Sequence, residues 1–493
     1  MGSKEQSYKA IIRENLKNTL GSGFIPALGK HKKGKVRDNH FPIGPHEDKI
    51  IMVASDRVSC FDRILDREIP FKGSVLNLFN TWAMKNSESV IPTASLLSPD
   101  SSIIIQKRYE NVGIECVVRG YVWGSLADDY EEKGYRLKCG IPLPEGLIRY
   151  QKLDEPWFTP TTKAEKGHDA DLNPQQVVEK LGSELANKLR DVSIALYQNG
   201  VALAKKAGLI FIDTKYEFGR DSNGNLFLID ESNTPDSSRF CSEEEYNLKI
   251  PQIIEAMGSK KYKTVIELTK DEEHPELKIK EGSKQFVRDV LKEGGYEEGK
   301  SLPPLTDEQI IETSWRYIDA YERITGQEFD FVKCELPTKH RILNNLIKAG
   351  YLKYYGCVVP IGASAKSESD KAHWEKLREA LISEGVPFAD IAYYSAHKQT
   401  QELLDYLKKM DSTSIQPLIY LTFAGGSNGL GSVVAGNTKY PVITCPVFRD
   451  KADYYINIFS SLETPSKLPL GVVVSPGNAV LFVKRILEMM KAE

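Results

Sequence analysis

A regular alternation of short apolar runs and helix-like stretches, from residue 353 to the end, constrains the fold more than any other feature. The apolar runs have strand length and are Cys357–Ile361, Asp390–Tyr394, Leu418–Phe423, Val442–Pro446 and Leu470–Val474. Such alternation is typical of βαβ units, in which the strands are parallel and helices cover both faces of the sheet. The sequence therefore predicts an α/β domain in which ligands bind beyond the carboxyl ends of the strands.

Loops rich in small residues follow these runs, where that binding edge is expected. They are Gly362–Asp370, Ser395–Lys398, Ala424–Gly431 and Ser475–Asn478. Small residues let backbone amides approach an anion closely. His397 lies among them, and a histidine titrates near neutral pH, which suits a general acid or base. A lone histidine is more often structural, but its place among these loops favours the functional interpretation.

A β-hairpin is predicted at 211–231, because Asn223-Gly224 lies between two apolar runs and both residues accept positive φ. If these two residues form the whole loop, Glu217 faces Asp230 across the pair of strands. Directly opposed like charges destabilise a sheet, so this register demands a reason.

The charged residues of the hairpin allow two interpretations. Alternation along the first strand places Asp213, Lys215 and Glu217 on one face, with Asp230 opposite. One interpretation is a magnesium site, because carboxylate oxygens are the hard ligands that this ion prefers. The other is a solvated charged face, and the hairpin sequence alone leaves both open.

Composition excludes several classes of protein. The net charge of -3 in 493 residues provides no global basic field for nucleic acid and no polybasic membrane tail. The seven cysteines form no Cys-x-x-Cys pair, which argues against structural zinc and disulfide scaffolds and suits a reducing cytosol. No apolar run is long enough to span a bilayer, and the first residues lack the apolar core of a signal peptide. We expect a cytoplasmic protein of two to four domains that binds neither nucleic acid nor membranes.

Two further segments have the composition of phosphate-binding turns. In the first, Gly34-Lys35-Val36-Arg37-Asp38, a glycine stands beside two cations. In the second, Arg119 ends an apolar run and Gly124-Ser125 opens a helix-like stretch. An ordinary solvated turn explains either segment on composition alone.

Taken together, the motifs resemble two families joined end to end. Residues from about 28 to 326 resemble SAICAR synthetase, a ligase of purine biosynthesis, through GKVRD, SDR, EIPFKG, VVRGYVWGS, FTPTTKAEKGHD, DTKYEFG, DESNTPDSSRF and KQFVRD. Residues from about 355 onward resemble AIR carboxylase through SAHK, AGGSNGLGSVVAGNTKYPVITCP and LGVVVSPGNA. Here AIR is aminoimidazole ribonucleotide, CAIR its carboxylated product and SAICAR the succinocarboxamide made from CAIR. The forms SAHK and SNGLG are similar to the class that carboxylates AIR with CO2 directly.

The resemblance implies a fold for each part of the chain. Residues 1–326 would form the SAICAR synthetase fold, which is α+β with mixed sheets and resembles ATP-grasp and kinase folds. Residues 327–352 would connect it to residues 353–493, a three-layer α/β/α parallel-sheet domain of the flavodoxin-like type. AIR carboxylases assemble through this domain, so the resemblance implies a homo-oligomer, specifically an octamer.

In the synthetase part, the resemblance implies sites for ATP, Mg2+ and CAIR. ATP would lie against Gly34, Lys35, Arg37 and Asp230, and Glu217 and Asp230 would hold Mg2+. Arg119 and Ser125 would hold the ribose phosphate of CAIR, and Asp213 and Lys215 would contact its imidazole and reacting carboxylate as catalytic residues. Arg239, Lys284 and Arg288 would complete the anion-rich site, and L-aspartate would be the substrate whose amine attacks the activated carboxylate.

In the carboxylase part, the resemblance implies that His397 moves the proton at the imidazole carbon and that Lys398 lies beside it. AIR would be held by Ser369, Asp370, Ser395, Gly426 and Ser427, with CO2 or bicarbonate as the second substrate. One departure is visible: alignment on Ser369-Asp370 puts Lys366 where the family has glycine. The alternative to a bifunctional enzyme is therefore an active synthetase fused to a catalytically silent oligomerisation domain.

Overall fold

The fold is described from a computed structural model of the chain. The described residues are 2–61, 63–163, 170–259, 261–271, 274–280, 282–296, 300–331, 338–352, 356–426 and 429–490. Their contacts divide the chain into two compact units. The large unit comprises Met1–Lys17 and Ala54–Phe329, and the small unit comprises Asn18–Val53 and Asp330–Glu493. The segment 18–53 thus clusters with the C-terminal residues, whereas the predicted domain boundaries at 326 and 353 stay a prediction.

The helices are α1 Gly2–Glu14, α2 Lys72–Ser87, α3 Ser125–Glu131, α4 Pro174–Leu181, α5 Ser183–Lys206, α6 Glu243–Gly258, α7 Val265–Lys270, α8 Ser283–Glu293, α9 Asp307–Thr325, α10 Thr338–Lys348, α11 Glu368–Ser383, α12 Thr400–Thr413, α13 Gly429–Gly436, α14 Lys451–Leu462 and α15 Pro476–Met489. Among the described residues, none of these helices combines the length and the apolar character that crossing a bilayer requires.

The strands are β1 Lys30–Lys33, β2 Arg37–Phe41, β3 Lys49–Ala54, β4 Ser59–Cys60, β5 Arg63–Ile64, β6 Ser95–Asp100, β7 Ile103–Lys107, β8 Glu110–Asn111, β9 Ile114–Tyr121, β10 Leu137–Lys138, β11 Ile141–Pro142, β12 Lys152–Phe158, β13 Thr161–Thr162, β14 Leu209–Arg220, β15 Leu226–Ile229, β16 Ser238–Ser242, β17 Cys357–Gly362, β18 Ala392–Tyr393, β19 Leu418–Phe423, β20 Val442–Thr444 and β21 Gly471–Val472.

The long strand β14 organises the large unit. It pairs antiparallel with β9 and β16 along its first half and with β8 and β15 along its second half. Helix α5 packs on it, and Tyr197 of α5 donates its hydroxyl to the backbone oxygen of Phe211 at 2.7 Å. Aromatic and β-branched residues alternate along β14 with the charged residues singled out above, so one face packs into the core while the other carries charge.

The predicted hairpin exists, but its predicted register is wrong by one residue. Arg220 pairs with Leu226 and Glu217 pairs with Ile229, so Glu217 does not face Asp230. The cause is Asp221, whose carboxylate accepts hydrogen bonds from the backbone N–H groups of residues 223 and 225 at 2.9 and 2.8 Å. An aspartate that binds its own turn in this way enlarges the loop to residues 221–225.

The C-terminal α/β prediction is confirmed. In the small unit, five parallel strands lie in the flavodoxin-like order β18-β17-β19-β20-β21. The strand order reverses at the first strand, β17, because the second strand lies on one side of it and the third on the other. The apolar side chains of β17, β19 and β20 form a core with α11 and α15. Ligands bind at the carboxyl ends of such strands next to the reversal, which here lies between β17 and β19.

Candidate functional site

A row of three charged side chains crosses the sheet of the large unit. Asp213 of β14 lies directly opposite Arg119 of β9 on one side and Arg239 of β16 on the other. Its Oδ2 atom accepts from Arg239 Nη1 at 2.8 Å and from Arg119 Nη1 at 3.3 Å. Burial lowers the pKa of Arg119, and the Asp213 carboxylate opposes that effect. One carboxylate therefore serves two guanidinium groups, and the row keeps excess positive charge.

Arg119 also reaches the start of α3. Its Nη2 atom donates to Ser125 Oγ at 3.2 Å, and its Nε atom donates to Thr159 Oγ1 at 3.0 Å. The structure thus brings together the arginine and the serine that the sequence predicted as one phosphate-binding pair. A planar guanidinium beside a hydroxyl at the start of a helix is suited to phosphate oxygens.

Gly124 makes room for this arrangement. Its φ is 53° and its ψ is -134°, a backbone conformation that favours glycine. A Cβ atom at this position would lie 2.0 Å from Arg239 Nη1. Glycine therefore precedes Ser125 because the guanidinium of Arg239 occupies the space of a side chain.

A second charged group surrounds Lys215. Its ammonium lies 2.5 Å from Glu115 Oε1 and 3.9 Å from Glu217 Oε1. Burial acts to lower the pKa of Lys215, but the carboxylates of Glu115, Glu217 and Asp230 outweigh it, so the net pKa is raised. Lys215 is therefore a permanent cation at neutral pH. Three carboxylates do surround this lysine, but the third is Glu115, because Asp213 belongs to the arginine row.

Glu217 has further partners. Lys163 contacts its Oε2 atom, and Asn111 donates to the same atom from Nδ2 at 3.2 Å. Neither Glu115 nor Lys163 was among the predicted site residues. Lys163 stands in the motif FTPTTKAEKGHD, which was a visible signal. Glu115 becomes recognisable only once β9 is known to pair antiparallel with β14, because Tyr216 then faces Cys116, Glu217 follows Tyr216 and Glu115 precedes Cys116.

The backbone of Asp230 is fixed in place. Its N–H donates to Gln106 Oε1 at 3.0 Å, and its carbonyl oxygen accepts from Asn80 Nδ2 at 3.0 Å and Gln106 Nε2 at 2.9 Å. Its φ of 63° turns the chain out of β15. These contacts, rather than strand pairing with Glu217, determine where its carboxylate lies.

The donors around Lys215 fit Mg2+ in their chemistry, since carboxylate oxygens are its preferred protein ligands. In the described parts of the chain, no three histidine, cysteine, aspartate or glutamate side chains are already arranged as metal ligands. Magnesium sites bound to nucleotides commonly use only one or two carboxylates together with phosphate oxygens and water. Glu217 and Asp230 would be the two carboxylates of such a site, and this assignment stays a prediction.

A cavity of about 460 Å³ opens beside the arginine row. Of the predicted site residues, Arg119, Asp213, Lys215, Arg239 and Arg288 line it. Further cations of its wall were not predicted, and they are Lys280, Arg316 and Arg323. The side chain of Lys284, also predicted here, lies outside the described residues. The preponderance of cations makes the cavity suited to a multiply charged anion.

The basic turn 34–38 forms the tip of the β1–β2 hairpin in the small unit. The Gly34 N–H donates to the Arg37 oxygen at 2.8 Å, and Lys33 pairs with Asp38. The Asp38 carboxylate is buried and accepts from the Gly23 N–H at 2.8 Å. Lys35 is exposed at the tip. The assignment of Gly34, Lys35 and Arg37 to ATP stays a prediction.

The carboxyl edge of the parallel sheet carries the second group of predicted residues. Asp370, in the first turn of α11, accepts from the Ser364 N–H and from Ser367 Oγ, both at 3.1 Å. Burial raises the pKa of Asp370, and these hydrogen bonds oppose the effect. A Cβ atom on Gly425, in the loop after β19, would lie 3.9 Å from its Oδ1 atom. The loops after β17 and β19 therefore meet at Asp370.

Ser369 and Lys366 belong to the same loop. Ser369 Oγ lies 2.9 Å from Ser367 Oγ, which caps α11. Lys366 is exposed, and its N–H donates to Ser364 Oγ at 3.2 Å. The unusual glycine-to-lysine position thus lies in a turn closed by serine side chains ahead of the helix.

His397 belongs to the turn before α12, and its ring lies next to Gly429, the first residue of α13. A Cβ atom on Gly429 would stand 3.8 Å from His397 Nε2. Ser395 and Lys398 belong to the same turn, in which the Lys398 N–H donates to the Ser395 oxygen at 3.3 Å. Gly426 has a φ of 75° and lies after β19, while Ser427 falls outside the described residues. The structure thus brings His397 beside the glycine-rich loop, as the position of both loops after predicted strands indicated.

Residues 30–262 match the family model of SAICAR synthetase, and residues 361–493 match that of AIR carboxylase. A phosphoribosylaminoimidazole-succinocarboxamide synthase of Cytophaga hutchinsonii is 39% identical over 329 residues, which are 66% of this chain and 96% of the relative. Its counterpart in Thermobifida fusca is 38% identical over 322 residues, which are 62% of this chain and 94% of the relative.

Among solved structures, SAICAR synthase of Saccharomyces cerevisiae, complexed with SAICAR, is similar at 25% identity with a TM-score of 0.51. The match covers 63% of this chain and 99% of that chain.

Proposed function

Because the chain belongs to the SAICAR synthetase family and also carries an AIR carboxylase domain, we propose that it catalyses two consecutive steps of purine biosynthesis. The C-terminal domain carboxylates AIR with CO2 to give CAIR. The synthetase part then joins CAIR to L-aspartate with ATP, giving SAICAR, ADP and phosphate.

The observation that carries the ligase proposal is the Arg119–Asp213–Arg239 row in the wall of a cationic cavity. CAIR carries a phosphate and a carboxylate, and two guanidinium groups that share one counter-ion keep net charge for such an anion. The likeness to a yeast synthase complexed with SAICAR supports this assignment. Arg119 and Ser125 hold the ribose phosphate, and Arg239 and Arg288 hold further anionic groups.

The chemistry requires positioning and charge neutralisation more than a protein nucleophile. A carboxylate oxygen of CAIR attacks the γ-phosphorus of ATP and ADP leaves. The amine of aspartate then attacks the acyl carbon, phosphate leaves, and the amine releases a proton. Lys215, whose raised pKa keeps it protonated, neutralises charge at the reacting carboxylate while Asp213 orients the imidazole.

Glu217 and Asp230 hold Mg2+ in this proposal, and the ion supplies charge neutralisation at the ATP phosphates when bound. Gly34, Lys35 and Arg37 contact the ATP phosphates. Lys163 and Asn111 hold the Glu217 carboxylate from the protein side.

The ligase proposal is tested by coupling ADP release to substrate identity. Purified protein should release ADP only when CAIR, L-aspartate and Mg2+ are all present, with one SAICAR formed per ADP. Arg239→Met should suppress this reaction because one cation of the row is lost. ADP release that ignores CAIR would contradict the proposal.

The carboxylase proposal rests on Asp370, in the first turn of α11, and on His397, in the turn before α12, both at the carboxyl edge of the parallel sheet. The competing candidate is a silent domain, favoured by Lys366 in the place of the family glycine. CAIR formation from AIR and bicarbonate separates the two. Wild-type turnover that is lost in His397→Asn supports catalysis, and an inactive wild type supports the silent domain. Synthetase activity on supplied CAIR is the control in both proteins.

Homo-oligomerisation through the C-terminal domain is also proposed, with an octamer as the expected form. Helix α14 supports it, because its buried residues are polar while its apolar residues face outward. Tyr455, Ile456, Phe459 and Leu462 are 62%, 60%, 58% and 57% exposed in the single chain. An exposed apolar helix face of this kind is stabilised when a partner buries it, and the same helix of a second copy would be such a partner.

A further inference from the structure

The motif EIPFKG contains a lysine that the reaction does not use. Lys72 opens α2 and is fully buried. Its Nζ atom donates to Asp236 Oδ2 at 2.9 Å, and only 5% of the Asp236 side chain is exposed. Burying two charges is costly, so such a pair persists only with close geometry and further hydrogen bonds.

Tyr317 of α9 supplies the further hydrogen bond. Its hydroxyl donates to Asp236 Oδ1 at 2.8 Å, and its ring lies under the Lys72 ammonium with 5.3 Å between nitrogen and ring centroid. Burial raises the pKa of Tyr317 well above its usual value, and the Asp236 carboxylate adds to that effect. Lys72 and Tyr317 therefore hold the two carboxylate oxygens of Asp236 from two different helices.

The held residue lies in the turn that leads to Arg239. The Ser237 and Ser238 N–H groups donate to the Thr234 oxygen at 3.1 and 2.9 Å, which closes the turn around Asp236. Strand β16 begins at Ser238, so only two residues separate Asp236 from Arg239. Where Asp236 is fixed, the start of β16 and the base of the Arg239 side chain are fixed as well.

Asp236 also lines the same cavity as Arg239 and Arg288. The charge of Arg288 reaches Tyr317, where it opposes the rise of the tyrosine pKa. The cluster of Lys72, Asp236 and Tyr317, called the clamp below, therefore reaches the cavity wall through Asp236.

We propose that Lys72 and Tyr317 are positioning residues that act through Asp236. They hold Arg239 opposite Asp213, in the wall of the cavity. The proposal rests on the SAICAR synthetase function and adds to it two residues that touch no substrate. It assigns a purpose to the buried charge of Lys72, which an apolar side chain would otherwise replace with no loss.

The test compares two tyrosines of one helix. Tyr317→Phe removes only the hydroxyl that holds Asp236. The matched control is Tyr321→Phe, which removes a buried hydroxyl one turn later whose partner is Gln327 Oε1 at 2.9 Å. We expect KM for CAIR to rise about tenfold in Tyr317→Phe, the effect of one hydrogen bond to a charged group. KM for ATP and the melting temperature should match those of the control.

A double-mutant cycle tests whether Lys72 acts on CAIR binding through Asp236. Asp236→Asn breaks the clamp at its centre, and Lys72→Met combined with it should raise KM for CAIR no further than Asp236→Asn alone. Additive losses would show that Lys72 acts elsewhere and would overturn the proposal. The double variant replaces both charged side chains, so it also avoids the uncompensated buried carboxylate that Lys72→Met alone would leave.

The outcomes separate this inference from the proposed function. If the wild type makes SAICAR and Tyr317→Phe has the same KM for CAIR as Tyr321→Phe, the positioning role is refuted while the function stands. If the wild type makes no SAICAR, the proposed function fails. In that case calorimetric titration with SAICAR decides whether Tyr317→Phe still weakens binding relative to the control, and equal affinities would refute the positioning role too.

Discussion

Gly124→Ala should disable the cavity without replacing any charged residue. The added Cβ atom would stand 2.0 Å from Nη1 and 2.5 Å from Cζ of Arg239, distances that no structure tolerates. The obstructing group is the mobile end of a long side chain, so the guanidinium moves and the fold survives. The 2.8 Å contact between Arg239 and Asp213 is then lost.

Two terms set the magnitude. The backbone at Gly124, with φ 53° and ψ -134°, costs an alanine about 1–3 kcal/mol of stability. Loss of the charge-assisted hydrogen bond to Asp213 is worth about 1.5–3 kcal/mol. If about 2 kcal/mol of the second term is expressed in substrate binding, KM for CAIR rises about 30-fold.

The assay is SAICAR formation at varied CAIR with saturating ATP and aspartate, together with thermal melting. Gly182→Ala is the matched control, because Gly182 has φ 81° and ψ 156° but nothing within 4 Å of an added Cβ atom. Both variants should melt a few degrees below the wild type. Only Gly124→Ala should show the rise in KM for CAIR, and equal KM values in the two variants would refute the role assigned to Arg239.

Three further predictions concern the metal, pH and assembly. Glu217→Gln and Asp230→Asn should each abolish Mg2+-dependent turnover and the Mg2+-dependent rise in melting temperature of the ATP complex, and wild-type rates in either would contradict the metal assignment. Burial lowers the pKa of His340 from 6.5 to about 4. The contribution of the neutral ring to the free energy of unfolding is therefore complete above pH 6.5 and is lost as the pH falls towards 4. This loss is about 3 kcal/mol, so His340→Leu should lower the slope of melting temperature against pH in that window, and an unchanged slope would disprove it. Tyr455→Ser with Phe459→Ser should reduce the mass measured by light scattering, whereas an unchanged mass would place the interface elsewhere.

The C-terminal fold could be predicted because its signals are local. Each strand of the parallel sheet is a continuous apolar run, and the flanking helices and small-residue loops follow within a few residues. The predicted run Leu418–Phe423 is β19 itself, and Cys357–Ile361 differs from β17 by one residue. A ligand edge defined by strand ends then places His397 and Asp370 at the same edge of the sheet without knowledge of any distant contact.

The charged clusters of the large unit could be predicted only in part. Asp213 and Lys215 were recognisable from β14, but their partners depend on which strands pair with it. Glu115 pairs with Lys215, and Lys72 with Asp236, across separations of 100 and 164 residues. Nothing local in the sequence specifies such contacts, because they follow from the order of strands and from helix packing.

The prediction of the hairpin register was wrong for a different reason. The Asn-Gly signal was real, but Asp221 satisfied the backbone of the loop with its own carboxylate and lengthened it to five residues. A few hydrogen bonds decide whether the backbone of the loop binds a side chain or continues the strand pairing, and the pattern of residues in the sequence does not give their energies.

If the cationic cavity is where CAIR is joined to aspartate, ATP consumption and SAICAR formation must be coupled there. The most direct measurement is a single-turnover experiment in which CAIR, L-aspartate and Mg-ATP are mixed with excess protein, and SAICAR and ADP are quantified together. We expect equal amounts of SAICAR and ADP in the wild type and little of either in Arg239→Met. Full SAICAR formation by Arg239→Met, or ADP without SAICAR in the wild type, would contradict it.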